Sequence, residues 1–399
     1  MSTATPESSS NALWTRDFLI VCTANIMMFF NVHLFFATFT FYAIARFAVG
    51  DAVGGASASI FVIGALVSRL SAGPLMERVP LKALLLVCFA VFVGLPPFYL
   101  ATDSITVTML LRIIHGAAFG LGSSVIATLA VARIPPHRLA EGTGYYASST
   151  VLGTAIGSFI GLLLLNVADF EAIVWTGVVT SAVGLFLAFP MRMPILQSPA
   201  AGFEPRGWLS RFVEPAALPM TLLGALFMIG YSSIVTFVAT LGAERGLGST
   251  VSFFFLVYAV AVLISRPFTG PLMDRRGFNV VMIPSFLLFG AGLFIIGQSY
   301  SGIILCLGAV LVGLGQGNLV SGGQTIAISQ VPRHKLGMGT STFFLGIDVG
   351  MGFGPFLIGF LVQSNGLSTS YAILGASMIP LLGLYWLMLG RKDRKSPAH

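Results

Sequence analysis

Hydrophobic positions in this chain fall in runs of roughly 20 residues set apart by short polar breaks, about the length a helix needs to span ~30 Å of hydrocarbon. Reading run by run predicts twelve helices, over 18–41, 56–76, 81–101, 105–132, 141–166 and 170–190, then 216–241, 250–272, 278–298, 302–330, 337–362 and 369–389. The longest polar stretch, "MRMPILQSPAAGFEPRGWLSRFVEP", separates the sixth run from the seventh. Its prolines and charges mark a linker, with a candidate interfacial helix at "RGWLSRF". The predicted organisation is a tail over 1–17, a six-helix bundle over 18–190, a linker over 191–215, a second six-helix bundle over 216–389 and a basic tail over 390–399. The fold class is therefore an all-α membrane protein.

Composition supports the pattern. Charged residues make up only 9% of the chain and mean hydropathy is +0.93, too little polar surface for a soluble domain to cover itself. Forty-six glycines would cost helical stability in water, whereas in a bilayer they let helices approach closely. The Ser/Thr-rich start through Asn11 reads as a disordered tail, without the features of a signal peptide. Cys22, Cys88 and Cys306 lie in apolar runs without metal-ligand spacing, so they read as packing residues and no metal is expected. Of 21 Lys and Arg, 16 fall in the tails, the linker and the breaks on one side, and only Arg46 and Arg245 in the opposite breaks. By the positive-inside rule both termini are cytoplasmic, in the plasma (inner) membrane. The net charge of +7 thus reports topology, and no nucleic-acid partner is implied.

The chain also repeats itself. "SRLSAGPLMERVPLK" from Ser68 returns as "SRPFTGPLMDRRGFN" from Ser265, an offset of 197 residues. The same offset relates "RIPPHRLAEGTG" to "QVPRHKLGMGTS", Gly116 and Gly120 to Gly313 and Gly317, and Gly153 and Gly157 to Gly350 and Gly354. Six spans have been duplicated in parallel orientation, a plan in which a midplane site lies between two halves.

These residues resemble the major facilitator superfamily over essentially the whole chain. The family signature between the second and third helices, G-x-L-x-D-R-x-G-R-K, reads here Gly73, Leu75, Glu77, Arg78, Pro80 and Lys82; the second copy reads Gly270, Leu272, Asp274, Arg275 and Gly277. The resemblance implies a cytoplasmic gate built from Gly73, Glu77, Arg78, Gly270, Asp274 and Arg275. Physically, the glycine permits close packing, and the acid can cap a helix or pair with the neighbouring arginine.

Two further patterns resemble the drug–proton antiporter branch. "LLRIIHGAAFG" in the fourth span matches R-x-x-Q-G at Arg112 and Gly116, with His115 in place of Gln. An arginine inside a span costs at least ~2.5 kcal/mol on insertion scales and should face a cavity or a partner. The fifth span carries Gly144, Gly153, Gly157 and Gly161 at antiporter spacing, with Ser158 where proline is usual; the eleventh span supplies Gly350, Gly354 and Pro355. Glycines at i, i+4 and i+8 make a smooth face on which a helix of the other half is expected to pack.

Of fourteen Asp and Glu, only Asp348, in "FFLGIDVGMGFGP", falls deep in a span, ~16 Å from its end at 1.5 Å per residue. A carboxylate there is protonated or paired. Its counterpart in the first half is Val151, so duplication does not account for it. In the family the second helix packs on the eleventh, which implies an Arg69–Asp348 pair. Asp348, Arg69 and Arg112 are the expected proton-coupling residues.

The family's central cavity is lined by helices one, four, seven and ten, which here carry Asn31, His33, His115, Tyr231, Gln316, Asn318 and Gln324 as candidate substrate contacts. No carboxylate stands in the first span and no basic cluster reaches the midplane, so neither a strict preference for cationic drugs nor phosphate-type anion exchange is expected. The chain shows no Ser-His-Asp order, phosphate loop or nucleotide-binding domain, and "GLGQGNLVSGG" lies within a span rather than after a strand. Neither an enzyme nor a cofactor is expected. The reading is a monomeric transporter exporting small organic compounds against proton entry; proton-coupled symport of a sugar-like metabolite and a non-transporting sensor or scaffold are the alternatives.

Overall fold

A computed structural model of the chain describes residues 12–191, 212–332 and 335–392. The tail through Asn11, Arg192, most of the linker with its candidate interfacial helix, Arg333, His334 and the basic tail from Asp393 lie outside the described residues.

The described residues form thirteen α-helices and no strand: α1 (Arg16–Phe47), α2 (Asp51–Ser59), α3 (Phe61–Arg78), α4 (Leu81–Gly94), α5 (Pro97–Ala101), α6 (Ile105–Val131), α7 (Leu139–Val167), α8 (Phe170–Ala188), α9 (Leu218–Glu244), α10 (Gly248–Arg276), α11 (Asn279–Gly297), α12 (Gly302–Ser329) and α13 (Leu336–Met388). Ten helical stretches among them are long and apolar enough to cross a membrane. Backbone geometry sets how the helices join into rods. Ile60, between α2 and α3, keeps right-handed helical angles, so the two continue as one rod, as do α4 and α5 through Leu95 and Pro96. Conversely, Gly366 inside α13 has φ 76° and ψ 165°, a conformation only glycine adopts without strain, and it divides α13 into two rods. The result is the twelve predicted rods.

Local chemistry sets the ends. The Thr15 hydroxyl accepts from Phe18 N–H, Ser104 caps α6 through Val107 and Ser301 caps α12 through Ile304, each satisfying an orphan donor of the first turn. The first helix runs to Phe47, beyond the predicted end at residue 41, and stops where Ala48 turns left-handed at φ 50°.

Each half has its own core. In the N-terminal half Phe18, Met28, Phe89, Phe92 and Leu129 pack together, with Phe35, Phe39 and Tyr99 toward the opposite end. The C-terminal half packs Phe227, Phe254, Phe286, Phe289 and Leu319. Phe159, Phe186, Phe268 and Phe356 point outward, onto the surface that lipid covers in an integral membrane protein. The internal symmetry is atomic: Gly116 abuts the Phe61 carbonyl and Gly313 the Tyr258 carbonyl, pairs related by the 197-residue offset.

The glycine face of the fifth span corrects one expectation. Cβ atoms built on Gly153, Gly157 and Gly161 would lie 2.7, 2.3 and 2.8 Å from the carbonyl oxygens of Ile26, Phe30 and Leu34. That face packs α7 onto α1 within the same half, not onto the other half. Gly350 likewise meets the Ala225 carbonyl, Gly354 meets Ser232, and Pro355 continues in the same helix. Close approach within each bundle uses these particular glycines, while contacts between the halves fall to others.

Candidate functional site

At the face where α1 begins and α13 ends, the two signature loops meet the opposite half. A Cβ on Gly270 would lie 2.5 Å from the Glu141 Cα, and one on Gly73 would lie 3.2 Å from the Met338 Cα, so both glycines sit where helices of the two halves touch. The Asp274 carboxylate accepts from the backbone N–H groups of Ala140 and Glu141 at 2.8 and 2.9 Å. These are free donors of the first turn of α7, where an anion also meets the positive end of the helix dipole. Asp274 therefore caps a helix of the other half. Arg138 closes the same corner with a bidentate pair to Glu141 at 2.7 and 2.6 Å. The first copy differs: Glu77 and Arg78 are solvent-exposed, as is Arg275 of the second copy, and the first loop reaches the other half through Gly73 and Met76, the latter against Gly337. Glutamate is one methylene longer than aspartate and Pro80 replaces the glycine that would let the loop turn inward, so the capping geometry is met once.

Deeper along the same interface, Arg69 Nε donates to Asp348 Oδ2. The guanidinium also donates to Ser124 Oγ at 3.1 Å and lies between the Phe119 and Phe344 rings, at 5.6 and 5.1 Å from their centroids. The Ser341 hydroxyl donates to the Arg69 carbonyl at 2.8 Å, tying α13 to α3 a second time. Arg69 is only 3% exposed and Asp348 17%. Two charges this far from water persist together because each satisfies the other. This pair, the Ser341 tie and the Asp274 cap are hydrogen bonds between the halves.

Arg112 is not part of that cluster. It is fully buried inside the N-terminal half, its guanidinium 4.6 and 4.8 Å from the ring centroids of Phe39 and Phe61, and the Tyr99 hydroxyl is a hydrogen-bonding neighbour. His115 is packed beside it: Nδ1 meets the Tyr99 hydroxyl at 3.0 Å, amid Phe35, Phe61 and Phe92. Asn31 also points into its own half, donating to the Gly177 carbonyl and Ser181 Oγ on α8 at 2.9 and 2.7 Å. Asn31 and His115 were expected along the cavity; the structure turns both into the interior of their own half, where Asn31 Nδ2 and His115 Nδ1 find partners while Asn31 Oδ1 and His115 Nε2 are buried without one. His33 is partly exposed, bonded to the Phe29 carbonyl at 3.0 Å with Thr154 at 3.5 Å.

The C-terminal half holds its predicted residues together. The Tyr231 and Tyr258 rings sit 5.7 Å apart; the Tyr258 hydroxyl donates to Gln316 Oε1 at 2.6 Å, and Gln316 Nε2 reaches the Met228 sulfur at 3.3 Å. Asn318 accepts from Thr269 at 2.9 Å and from Arg266 Nη1 at 3.3 Å. Gln324 is buried further along α12.

Ser124, Ser341, Phe119 and Phe344 had not been singled out from the sequence. One signal was available: Ser124 and Ser321 are related by the repeat offset, and each hydrogen-bonds the arginine of its own half.

Comparison with known proteins agrees with this architecture. The chain is 23% identical over 335 residues to an uncharacterized MFS-type transporter, MJ1560, of Methanocaldococcus jannaschii, covering 78% of this chain and 82% of that one. It is 28% identical over 175 residues to the multidrug resistance protein MdtG of Klebsiella pneumoniae, a match spanning 43% of this chain and 42% of that protein. The fold superimposes on the human organic anion transporter MFSD10 with a TM-score of 0.78 at 14% identity, covering 95% of this chain and all of that one. The Major Facilitator Superfamily model matches residues 21–278 and 220–399, nearly the whole length between them, and the chain belongs to that superfamily of membrane transporters.

Proposed function

We propose that the protein exports small, largely apolar organic compounds by proton antiport, through alternating access between its two halves. The observation that carries this reading is the Arg69–Asp348 pair, a buried ion pair that joins the halves. Protonation of Asp348 removes one of its charges and leaves a buried guanidinium without its counterion, which strongly disfavours the paired arrangement. The halves then separate at this face and rock closed at the other. Deprotonation restores the pair and, with it, the Asp274 cap on α7. Proton occupancy and the open face are thereby linked through one carboxylate. The multidrug relative supports a drug-like cargo. The 16-to-2 distribution of basic residues supports a plasma-membrane protein whose latched face, with both termini, is cytoplasmic. A monomer suffices, since both sides of the site come from one chain.

The test uses inside-out vesicles with an acidic lumen, presented in turn with dyes, antibiotics and sugars. The expected result is substrate-evoked proton release from the lumen by the wild type and none by Asp348→Asn. Equal proton movement in the two proteins would remove Asp348 from coupling; proton uptake that follows a sugar would turn the reading to symport.

A further inference from the structure

Duplication gave the two halves the same arginine, but only one of the two has a carboxylate. Arg266 is the counterpart of Arg69 at the 197-residue offset, and the cradle around it is duplicated with it. Arg69 Nη1 donates to Ser124 and Arg266 Nη1 to the matching Ser321. Arg266 Nη2 adds the Gly317 carbonyl at 3.0 Å, and Nη1 the Asn318 side chain at 3.3 Å. The counterpart of Asp348, however, is Val151. Arg266 is 3% exposed, its contacts are all to neutral oxygens, and among the described residues no acid lies within ion-pair distance. Its Nε has no acceptor. That nitrogen is the equivalent of the atom through which Arg69 holds Asp348 Oδ2.

A guanidinium buried this far is unfavourable unless a charge compensates it, and the neutral cradle compensates only in part. We infer that Arg266 is the docking point for the carboxylate of an anionic organic substrate, whose oxygen occupies the place at Nε that Asp348 fills in the other half. The surroundings suit such a ligand. The site lies between α10 and α7, where the two halves meet, with Gly144 against the Arg266 side chain. Eight residues earlier on α10 stands Tyr258, paired with Tyr231, ~12 Å further along the axis. The acid end is held at the arginine and an aromatic or alkyl body of about that length lies on the tyrosines. A single arginine suits a monocarboxylate, in keeping with the absence of the basic cluster a phosphate would need. The inference deepens the export reading by naming a substrate class.

The experiment measures thermal unfolding of the purified full-length protein in detergent with 2-naphthoate and, in parallel, the uncharged 2-naphthamide. Ligand that binds the folded state raises the midpoint by an amount that grows with the logarithm of its concentration over Kd, so dissociation constants are read from midpoints across a concentration series. The wild type is expected to favour naphthoate over naphthamide by ~10-fold or more, the value of a charge-assisted hydrogen bond. Arg266→Gln should lose that preference. Val151→Asp should lose it too while unfolding at a higher temperature than wild type without ligand, because the new acid pairs with Arg266 as Asp348 does with Arg69. Equal response to acid and amide, no response to either, or an undiminished acid response in Val151→Asp overturns the inference. Binding is read without a proton gradient, so failure here leaves the antiport reading standing, and failure of antiport leaves this site standing.

Discussion

Arg69 holds Asp348 through Nε and Ser124 through Nη1 at once, a task that depends on the planar fork of a guanidinium rather than on charge alone. Arg69→Lys keeps the charge but presents one ammonium that cannot serve both partners from one place. Losing one charge-assisted hydrogen bond costs ~1.5–3 kcal/mol, so the initial rate of substrate-evoked proton movement in vesicles should fall about tenfold or more. Ser124→Ala, which removes only the lateral contact, should slow it by less. Equal rates in wild type and Arg69→Lys would mean that bidentate geometry is irrelevant to coupling. The sequence shows that Asp348 is the one acid deep in a span, but it offers two arginines at equivalent repeat positions, Arg69 and Arg266; the choice of Arg69 came from the packing that the family resemblance implies. The orientations of Asn31 and His115 were not legible in the sequence. A residue's rotation about its helix is read from an apolar–polar contrast, and in a membrane helix both the core and the lipid side are apolar. Hydropathy therefore placed these residues along the axis but not around it.

At the scale of the element, glycines that look alike in the sequence differ in what surrounds them. A Cβ on Gly116 would lie 1.9 Å from the Phe61 carbonyl oxygen, whereas Gly359, in the eleventh span, has open space around its Cβ position. Gly116→Ala must push α6 away from α3 along a shared backbone contact, a shape change that costs ~1–3 kcal/mol. Gly359→Ala should be neutral or slightly stabilising, since alanine lowers the entropy of the unfolded chain at no steric cost. Midpoints of thermal unfolding should therefore separate the two variants clearly; similar losses would show that the spacing around these helices is looser than described. Gly366→Ala should also destabilise, by ~1–2 kcal/mol, because the turn between the last two rods needs a left-handed φ. Runs and breaks in the sequence located the rods to within a few residues except at the outer ends of the first two, where "AIARF" continues α1 to Phe47 and α2 begins at Asp51, ahead of the predicted start at residue 56. What was missed is the partner of the fifth-span glycines. Spacing tells that a face is smooth; it does not tell which neighbour uses it.

At the scale of the whole molecule, the described hydrogen bonds between the halves cluster toward one face, in the Asp274 cap and the Arg69–Asp348 pair with its Ser341 tie. The halves are thus latched at that face. If they rock as rigid bodies, each latch element contributes to one equilibrium between closed and open forms of this face, and the contributions combine. Removing a capping side chain costs ~0.5–2 kcal/mol, while inverting an equilibrium from 1:99 to 99:1 takes ~5.5 kcal/mol. Asp274→Ala alone should therefore leave most molecules latched. Asp348→Asn, which strands the Arg69 charge, should open a larger fraction, and the double variant should be mostly open at this face. Spin labels at exposed Phe189 in one half and exposed Val280 in the other would report this as a long-distance population that is small in Asp274→Ala, intermediate in Asp348→Asn and dominant in the double variant. A single distance that lengthens gradually across the series would instead mean that the interface deforms rather than switches, and rigid rocking would have to be abandoned. A double variant no more open than Asp348→Asn would mean that the cap and the ion pair do not act on the same transition.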